Sequence, residues 1–547
     1  MPKRVAVGDY LIQRLQDYGV NHVFGVPGDY VLGFYDQMVA SPLEVVGTCT
    51  EAGAGFAADA YARVNGLGVV CITYCVGGFN ALNSVAGAYA EKAPLVVISG
   101  APGMDERATS PLLHHRVRDF QTQHQIFEKV TVASTALENP EEAPREIDRV
   151  LEACVSQKRP VYIEIPRDMT SRLCAAPTPL KRVRQKSNSA ALAEAVAEAA
   201  AMLKAAKRPV ILGGVEIHRF GLQKAFLDLA ERTGYPIAAT LLGKSIIRES
   251  HPQYLGIYEG AMGREDVQKV VERADCTLIL GAFMTDINLG IYTAQLDVGN
   301  TVNATSDRIG IKHHNYVDVT LNDFIKGLAK VAPKAKKPAR IAKKTRRPYK
   351  ARPGNAITVA RLFDRMNDFL TANTTVICDI GDSLFGAADL TIHRRTEFLS
   401  PAYYTSMGYA VPAALGAEMN KRNRRPVVFV GDGAFQMTGM ELSTIARHKL
   451  NPIVFVLNNK GYSTERFIND GPYNDILNWE FHRIPELLNA GWGCEVRTEG
   501  DLEDALDHVS KHARGFSIVN VHLDPFDASE AMSRLGKRLG KRIAAKK

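Results

Sequence analysis

The sequence has no apolar run approaching the roughly 18 residues of a membrane-spanning helix, so no membrane partner is expected. Cysteine is sparse, with eight scattered residues in 547, which excludes a disulfide-dense scaffold. Only Cys71 and Cys75 are close in sequence, and they read as small buried thiols on one strand. A secretory pattern is missing too: after Met1-Pro-Lys-Arg the chain passes almost directly into the amphipathic stretch Tyr10–Gln16. Together these point to a reducing, cytoplasmic setting. Acidic residues are absent from Lys334–Arg352, which carries ten Lys or Arg. Without that stretch the formal net charge falls from +8 to −2, so the rest of the chain is close to neutral. The stretch has several prolines, little apolar periodicity and Tyr349 as its one aromatic. It reads as an exposed linker rather than a nucleic-acid surface. A second basic patch, Lys537, Arg538, Lys541 and Arg542, alternates with Leu535, Leu539 and Ile543 and reads as a terminal helix with one apolar face.

What is present is a repeated alternation of short apolar runs and helical patterns, the mark of α/β architecture with parallel sheets. The first block, residues 1–182, holds Val69–Cys75, a helix from Asn80 to Glu91, Leu95–Ser99 and a last strand, Pro160–Pro166. The second, 188–332, holds Pro209–Gly214 and Cys276–Gly281. The basic linker, 333–355, leads to a third block, 356–547. Each block is expected to have a mainly parallel sheet flanked by helices.

The most telling stretch is Gly431-Asp432-Gly433-Ala434-Phe435, followed after a helix-like segment by Pro452–Leu457 and Asn458-Asn459-Lys460-Gly461-Tyr462. Val427–Val430 precedes it. A β-α-β reading puts Asp432 at the C-terminal tip of one strand and the asparagines at the tip of the next, where open parallel sheets bind ligands. A carboxylate, an amide oxygen and a carbonyl are hard donors of the kind Mg²⁺ selects, often bridging to phosphate.

This pairing resembles the diphosphate-binding signature of thiamine diphosphate enzymes. The resemblance implies thiamine diphosphate and Mg²⁺ as cofactors. It makes Asp432, the Asn459 side chain and the Gly461 carbonyl the metal ligands, with Gly431, Gly433, Ala434 and Tyr462 around the cofactor. Asp382, Ser383 and Thr405 match positions touching the diphosphate and aminopyrimidine. Met407 matches the apolar residue that holds the cofactor bent. Thr50-Glu51-Ala-Gly-Ala-Gly-Phe56 resembles the segment carrying the cofactor-activating glutamate. In such enzymes that acid sits beside the pyrimidine and promotes formation of the thiazolium ylid. The fold implied is the thiamine diphosphate-binding fold with a central Rossmann-like domain. The active unit implied is a dimer at minimum, assembled as a homotetramer.

Asp29 in Phe24–Tyr30, the pair His114-His115, and Glu465 just past the metal loop resemble the proton-handling set of 2-keto acid decarboxylases. These attack the keto carbon with the ylid, lose CO₂ to an enamine and release an aldehyde. Acetolactate synthase-type carboligases share the signature but lack the histidine pair. Ala88–Gly103, Gly381–Phe385 and Gly431–Gly439 resemble the phenylpyruvate and indolepyruvate branch, whereas Asn459–Glu465 and Asn469–Asn474 look more like pyruvate and branched-chain enzymes. Leu384 stands where pyruvate-preferring relatives carry a large aromatic, and Thr464 is smaller than the isoleucine often found there. With Ile468 they form the expected substrate pocket. An aromatic or long-chain 2-keto acid is therefore expected to be preferred, with branched-chain or pyruvate decarboxylation the alternative. A nucleic-acid binder using the basic linker is the least favoured reading.

Overall fold

The computed structural model describes residues 3–180, 182, 185–341, 347–393, 397–419 and 423–534. The short apolar runs become strands buried on both faces, as parallel sheets between helices require. The first sheet is parallel throughout, in the order Glu44–Gly47, His22–Gly25, Gly68–Ile72, Leu95–Ala101, Val161–Pro166, Ser134–Ala136. The central sheet has five parallel strands, Tyr254–Ile257, Ile237–Ala239, Pro209–Gly213, Cys276–Leu280 and Thr301–Ala304. A meander, Ile309–Ile311 and His314–Tyr316, extends it antiparallel. The third is again parallel, in the order Phe398–Leu399, Thr374–Cys378, Arg425–Gly431, Ile453–Asn458, Ser517–His522, Trp492–Val496. The expected mainly parallel α/β fold is observed.

Details differ from the sequence expectation. The strand at Val69 ends at Ile72, and Cys75 is not on it. Cys75 instead caps the helix Val76–Ala90 in a left-handed conformation, φ 53°. Apolar content continues past Ile72, so no composition signal marked the turn. The basic run is not simply a solvated connector. The N–H groups of Ala335, Ala339 and Ile341 donate to carbonyls of Arg232, Gly234 and Pro252, and Arg352 N–H donates to Glu499 at 2.8 Å. Backbone donors need partners even where side chains face water, and here the central and third domains provide them. Tyr349 lies under Arg361, 4.0 Å from ring centroid to guanidinium carbon. The C-terminal patch from Leu535 onward lies outside the described residues.

One helix, Glu51–Asn65, places the first domain's candidate acid. Thr50 caps it by accepting from Gly53 N–H at 3.0 Å, and Gly66 ends it at φ 103°. Its Ala- and Gly-rich face packs on Ala410–Met419 of the third domain, joining the two sheets' cores. The approach is so close that a Cβ on Gly416 would run into the Ala57 carbonyl. Gly416→Ala should therefore destabilise the chain despite alanine's better helix propensity, by about 1–3 kcal/mol as overpacking does. A lowered thermal midpoint checks this; an unchanged or raised midpoint would show that the helices separate freely.

Candidate active site

The C-terminal ends of Thr374–Cys378, Arg425–Gly431 and Ile453–Asn458 open into a cavity of about 490 Å³. It is lined by Asp382, Ser383, Leu384, Thr405, Met407, Gly431, Asp432, Gly433, Ala434, Asn459, Gly461, Tyr462, Thr464 and Glu465. The central domain contributes Asp286, Ile287 and Ile291. The sequence gives no periodic or motif signal for those three, because the chain separates them from the signature by more than a domain.

Asp432 joins two strand ends. Its Oδ1 accepts from Gly433 N–H at 2.8 Å and its Oδ2 from Gly461 N–H at 3.1 Å. Burial pushes its carboxyl up to about 6, against those two donors. Asn459 Oδ1 and Ser383 Oγ are buried at the same cavity with no hydrogen-bond partner among the described residues. Among the described residues the Gly461 carbonyl accepts from Ser463 N–H alone, at 3.1 Å. Orphaned buried acceptors beside a carboxylate are a set that a divalent cation would satisfy. Two glycines are required by close approach. A Cβ on Gly433 would strike the Tyr462 ring, and Gly461, at φ 145°, leaves no room beside the Asn474 carbonyl. Gly431 faces open space, which leaves the cavity floor free for a ligand.

Supports that motif reading missed surround the signature. Buried Arg466 donates to the carbonyls of Asn459 (3.0 Å) and Lys460 (2.7 Å) and pairs with Asp475, fixing the loop that carries the amide. Asp379, wholly buried, accepts from the N–H groups of Ile380 (3.0 Å), Gly408 (3.2 Å) and Ala410 (3.0 Å). It thereby shapes the bend holding Thr405, φ 57°, and Gly408, φ 85°. The Asp382 carboxylate is used inside the fold: it accepts from Ser529 N–H (3.0 Å) and Oγ (2.5 Å), tying the C-terminal segment to the cavity wall. Leu384 is buried but lines the cavity beside Thr464. Ile468 ends the helix Ser463–Ile468 and does not line it.

The remaining candidates lie elsewhere in the chain. Glu51 opens its helix, and Asn80 Nδ2 donates to its Oε2 at 2.5 Å. The third domain's Glu441 accepts from Cys49 N–H (3.0 Å) and Thr50 N–H (3.1 Å), steadying the turn before Glu51. Asp29 and the histidine pair form their own cluster, with His114 Nε2 2.8 Å from Asp29 Oδ2. Buried Tyr30 seats the pair. Its hydroxyl donates to the His114 carbonyl at 3.2 Å, and its ring stacks on His114 at 4.8 Å. Neither Glu51 nor this cluster lines the cavity.

Residues 5–127, 196–330 and 379–521 match the N-terminal TPP binding, central and C-terminal TPP binding domains of thiamine pyrophosphate enzymes. An indole-3-pyruvate decarboxylase of Azospirillum brasilense is 35% identical over 96% of this chain and 97% of its own length. A pyruvate decarboxylase of Pisum sativum is 33% identical over 97% and 93%. An alpha-keto-acid decarboxylase of Mycolicibacterium paratuberculosis is 35% identical over 94% and 93%. The chain belongs to the thiamine diphosphate-dependent 2-keto acid decarboxylase family. Its cofactor is thiamine diphosphate. No helix among the described residues is long and apolar enough to cross a membrane.

Asp379 gives a pH test of this scaffold. Burial raises its carboxyl from 3.8 to about 6 in the folded chain. The folded state therefore holds the proton more tightly than the unfolded one, so stability falls as pH rises from about 4 to 6 and is flat above. The span corresponds to about 3 kcal/mol. Asp379→Asn cannot titrate, so its stability relative to the parent should improve by up to that amount between pH 4 and 7. Thermal midpoints of cofactor-free protein across that range check it; a pH-independent difference would show that Asp379 is ionised throughout.

Proposed function

We propose that this chain converts 2-keto acids with aromatic or long apolar side chains to aldehydes and CO₂, in an oligomer whose copies share each active site. The carrying observation is the strand-end cavity, where Asp432 and the unpartnered Asn459 Oδ1 meet apolar walls made by Leu384, Ile287 and Ile291. Asp432, the Asn459 side chain and the Gly461 carbonyl would hold Mg²⁺ and, through it, the diphosphate. Ser383, Thr405, Met407, Gly431, Gly433, Ala434 and Tyr462 would surround the cofactor, and Asp382 would brace that wall from behind. Bound thiamine diphosphate supplies an electron sink for the pair left when CO₂ departs. Glu51, held by Asn80, would exchange a proton with the cofactor's pyrimidine and so activate it. Glu465 disfavours the substrate carboxylate by like charge and so favours loss of CO₂. Asp29 and His115 move the proton that completes the aldehyde and helps release it, and His114 orients them. The eight free thiols fit a reducing, cytoplasmic compartment.

The assembly follows from the separation of the two halves. Glu51, Asp29, His114 and His115 do not line the chain's own cavity, so a second copy is the source that completes it. That makes a dimer the minimum and a dimer of dimers the expected form. Exposed Leu112, Met437, Met440 and Leu477 supply apolar surface for such contacts. Asp432→Ala should lose thiamine diphosphate binding, and Glu51→Gln should keep binding but lose about 10²–10⁴-fold in turnover. Mixing the two inactive chains after dissociation should restore part of the activity. No recovery in verified mixed dimers would place both halves within one copy.

Substrate preference rests on Leu384 and Thr464. A phenyl or indolyl group buries on the order of 100 Å² more than a methyl, worth roughly 2.5 kcal/mol. Phenylpyruvate or indolepyruvate should therefore exceed pyruvate in kcat/KM by more than about tenfold. Long and branched aliphatic keto acids should fall between. Leu384→Trp, checked for an unchanged melting profile, should shift preference towards small substrates. A panel of keto acids with aldehyde release measured decides this. Pyruvate turning over faster than phenylpyruvate at equal low concentration would favour the pyruvate reading instead.

A further inference from the structure

We propose that Asp29, His114 and His115 form a second divalent-cation site, of zinc-type chemistry, whose donors differ from the hard-donor set at Asp432. The inference rests on the proposed decarboxylase reading only for its effect on turnover. One ligand atom from each of the three residues lies within 4.8 Å of the others, the only such His/Cys/Asp/Glu grouping among the described residues. Two imidazoles and a carboxylate are the donor set that Zn²⁺ takes with a position left open, and one that Mg²⁺ disfavours. Tetrahedral bonds of about 2.0–2.1 Å set ligand atoms about 3.3 Å apart. His114 Nε2 and Asp29 Oδ2, at 2.8 Å, are already that close. His115 must close the remaining gap by side-chain rotation.

His115 sits in the left-handed region, φ 66°, a conformation a histidine keeps only when its surroundings demand it. Its Nδ1 is buried with no hydrogen-bond partner among the described residues, so a ring nitrogen is left with a lone pair or a proton unsatisfied. His114 is held from below by the Tyr30 ring and hydroxyl, while its edge and the Asp29 carboxylate face outward, 57% and 43% exposed. These atoms are open within the single chain, and in the proposed assembly they face the second copy's cavity, which is the route by which a cation reaches them. Coordination through His114 Nε2 requires the tautomer with the proton on Nδ1. A bound ion occupies the atoms assigned to proton handling, so the site is inhibitory.

Calorimetric titration of Zn²⁺ into the holoenzyme, with thiamine diphosphate and excess Mg²⁺ present, tests the site. One Zn²⁺ per chain should bind, with affinity falling at least roughly tenfold in each of Asp29→Ala, His114→Ala and His115→Ala. Substituting Co²⁺ should give visible bands in the parent that these variants lose. Aldehyde release should fall in step with Zn²⁺ occupancy and recover on adding a chelator. Absence of Zn²⁺ binding, or binding unchanged in all three variants, would overturn the site, whatever the variants do to turnover. Stoichiometric binding that leaves turnover untouched would uphold the site and count instead against the proton-handling role of these groups.

Discussion

The architecture of the cavity depends on one buried carboxylate. Asp432 has to leave water to sit between two strand ends, and the N–H groups of Gly433 and Gly461 only partly offset that cost. A carboxylate in this position is unfavourable in isolation, and a bound cation would relieve it. The glycines beside it follow from the same geometry. Gly433 and Gly461 are small because Tyr462 and the Asn474 carbonyl occupy the space a Cβ would need. Arg466 then holds the loop through its carbonyls, so the amide of Asn459 is presented rather than left to wander.

A second constraint acts between domains. The Ala- and Gly-rich helix Glu51–Asn65 packs against Ala410–Met419 with backbone nearly in contact. Glu441 ties the turn before Glu51 to the third domain. Elsewhere the buried Lys92 ammonium reaches Glu216 at 2.6 Å and Asp307 at 3.0 Å, joining the first and central domains. The first domain is thus held by both neighbours, and its candidate groups are presented as a rigid surface. The shared site proposed above would need that rigidity, since groups placed by one copy would have to meet a cavity built by another.

Much of the fold was legible in the residues. Short runs such as Pro209–Gly213 and Ile453–Asn458 are apolar on both faces, which is what burial in a parallel sheet demands. Places where the chain turns without a change in composition were not legible. Cys75 reads as a continuation of its strand, yet its left-handed backbone begins a helix. The basic run shows only charge in the sequence, whereas its backbone hydrogen bonds to the central domain are set by a surface more than 80 residues earlier.

The sequence by itself determined the family and its cofactor; the candidate groups, Gly-Asp-Gly followed by Asn-Asn, Glu51 in a small-residue helix, Asp29 and the histidine pair, are local patterns, and local patterns survive in one dimension. The tertiary structure decided how they are grouped. It placed Asp432, Asn459, Leu384 and Thr464 around one cavity and brought in Ile287 and Ile291 from another domain. It drew Asp29 to His114 across 85 residues and kept both, with Glu51, out of the chain's own cavity. Distances between residues far apart in the chain are set by packing of whole sheets and helices, and no spacing along the sequence encodes them.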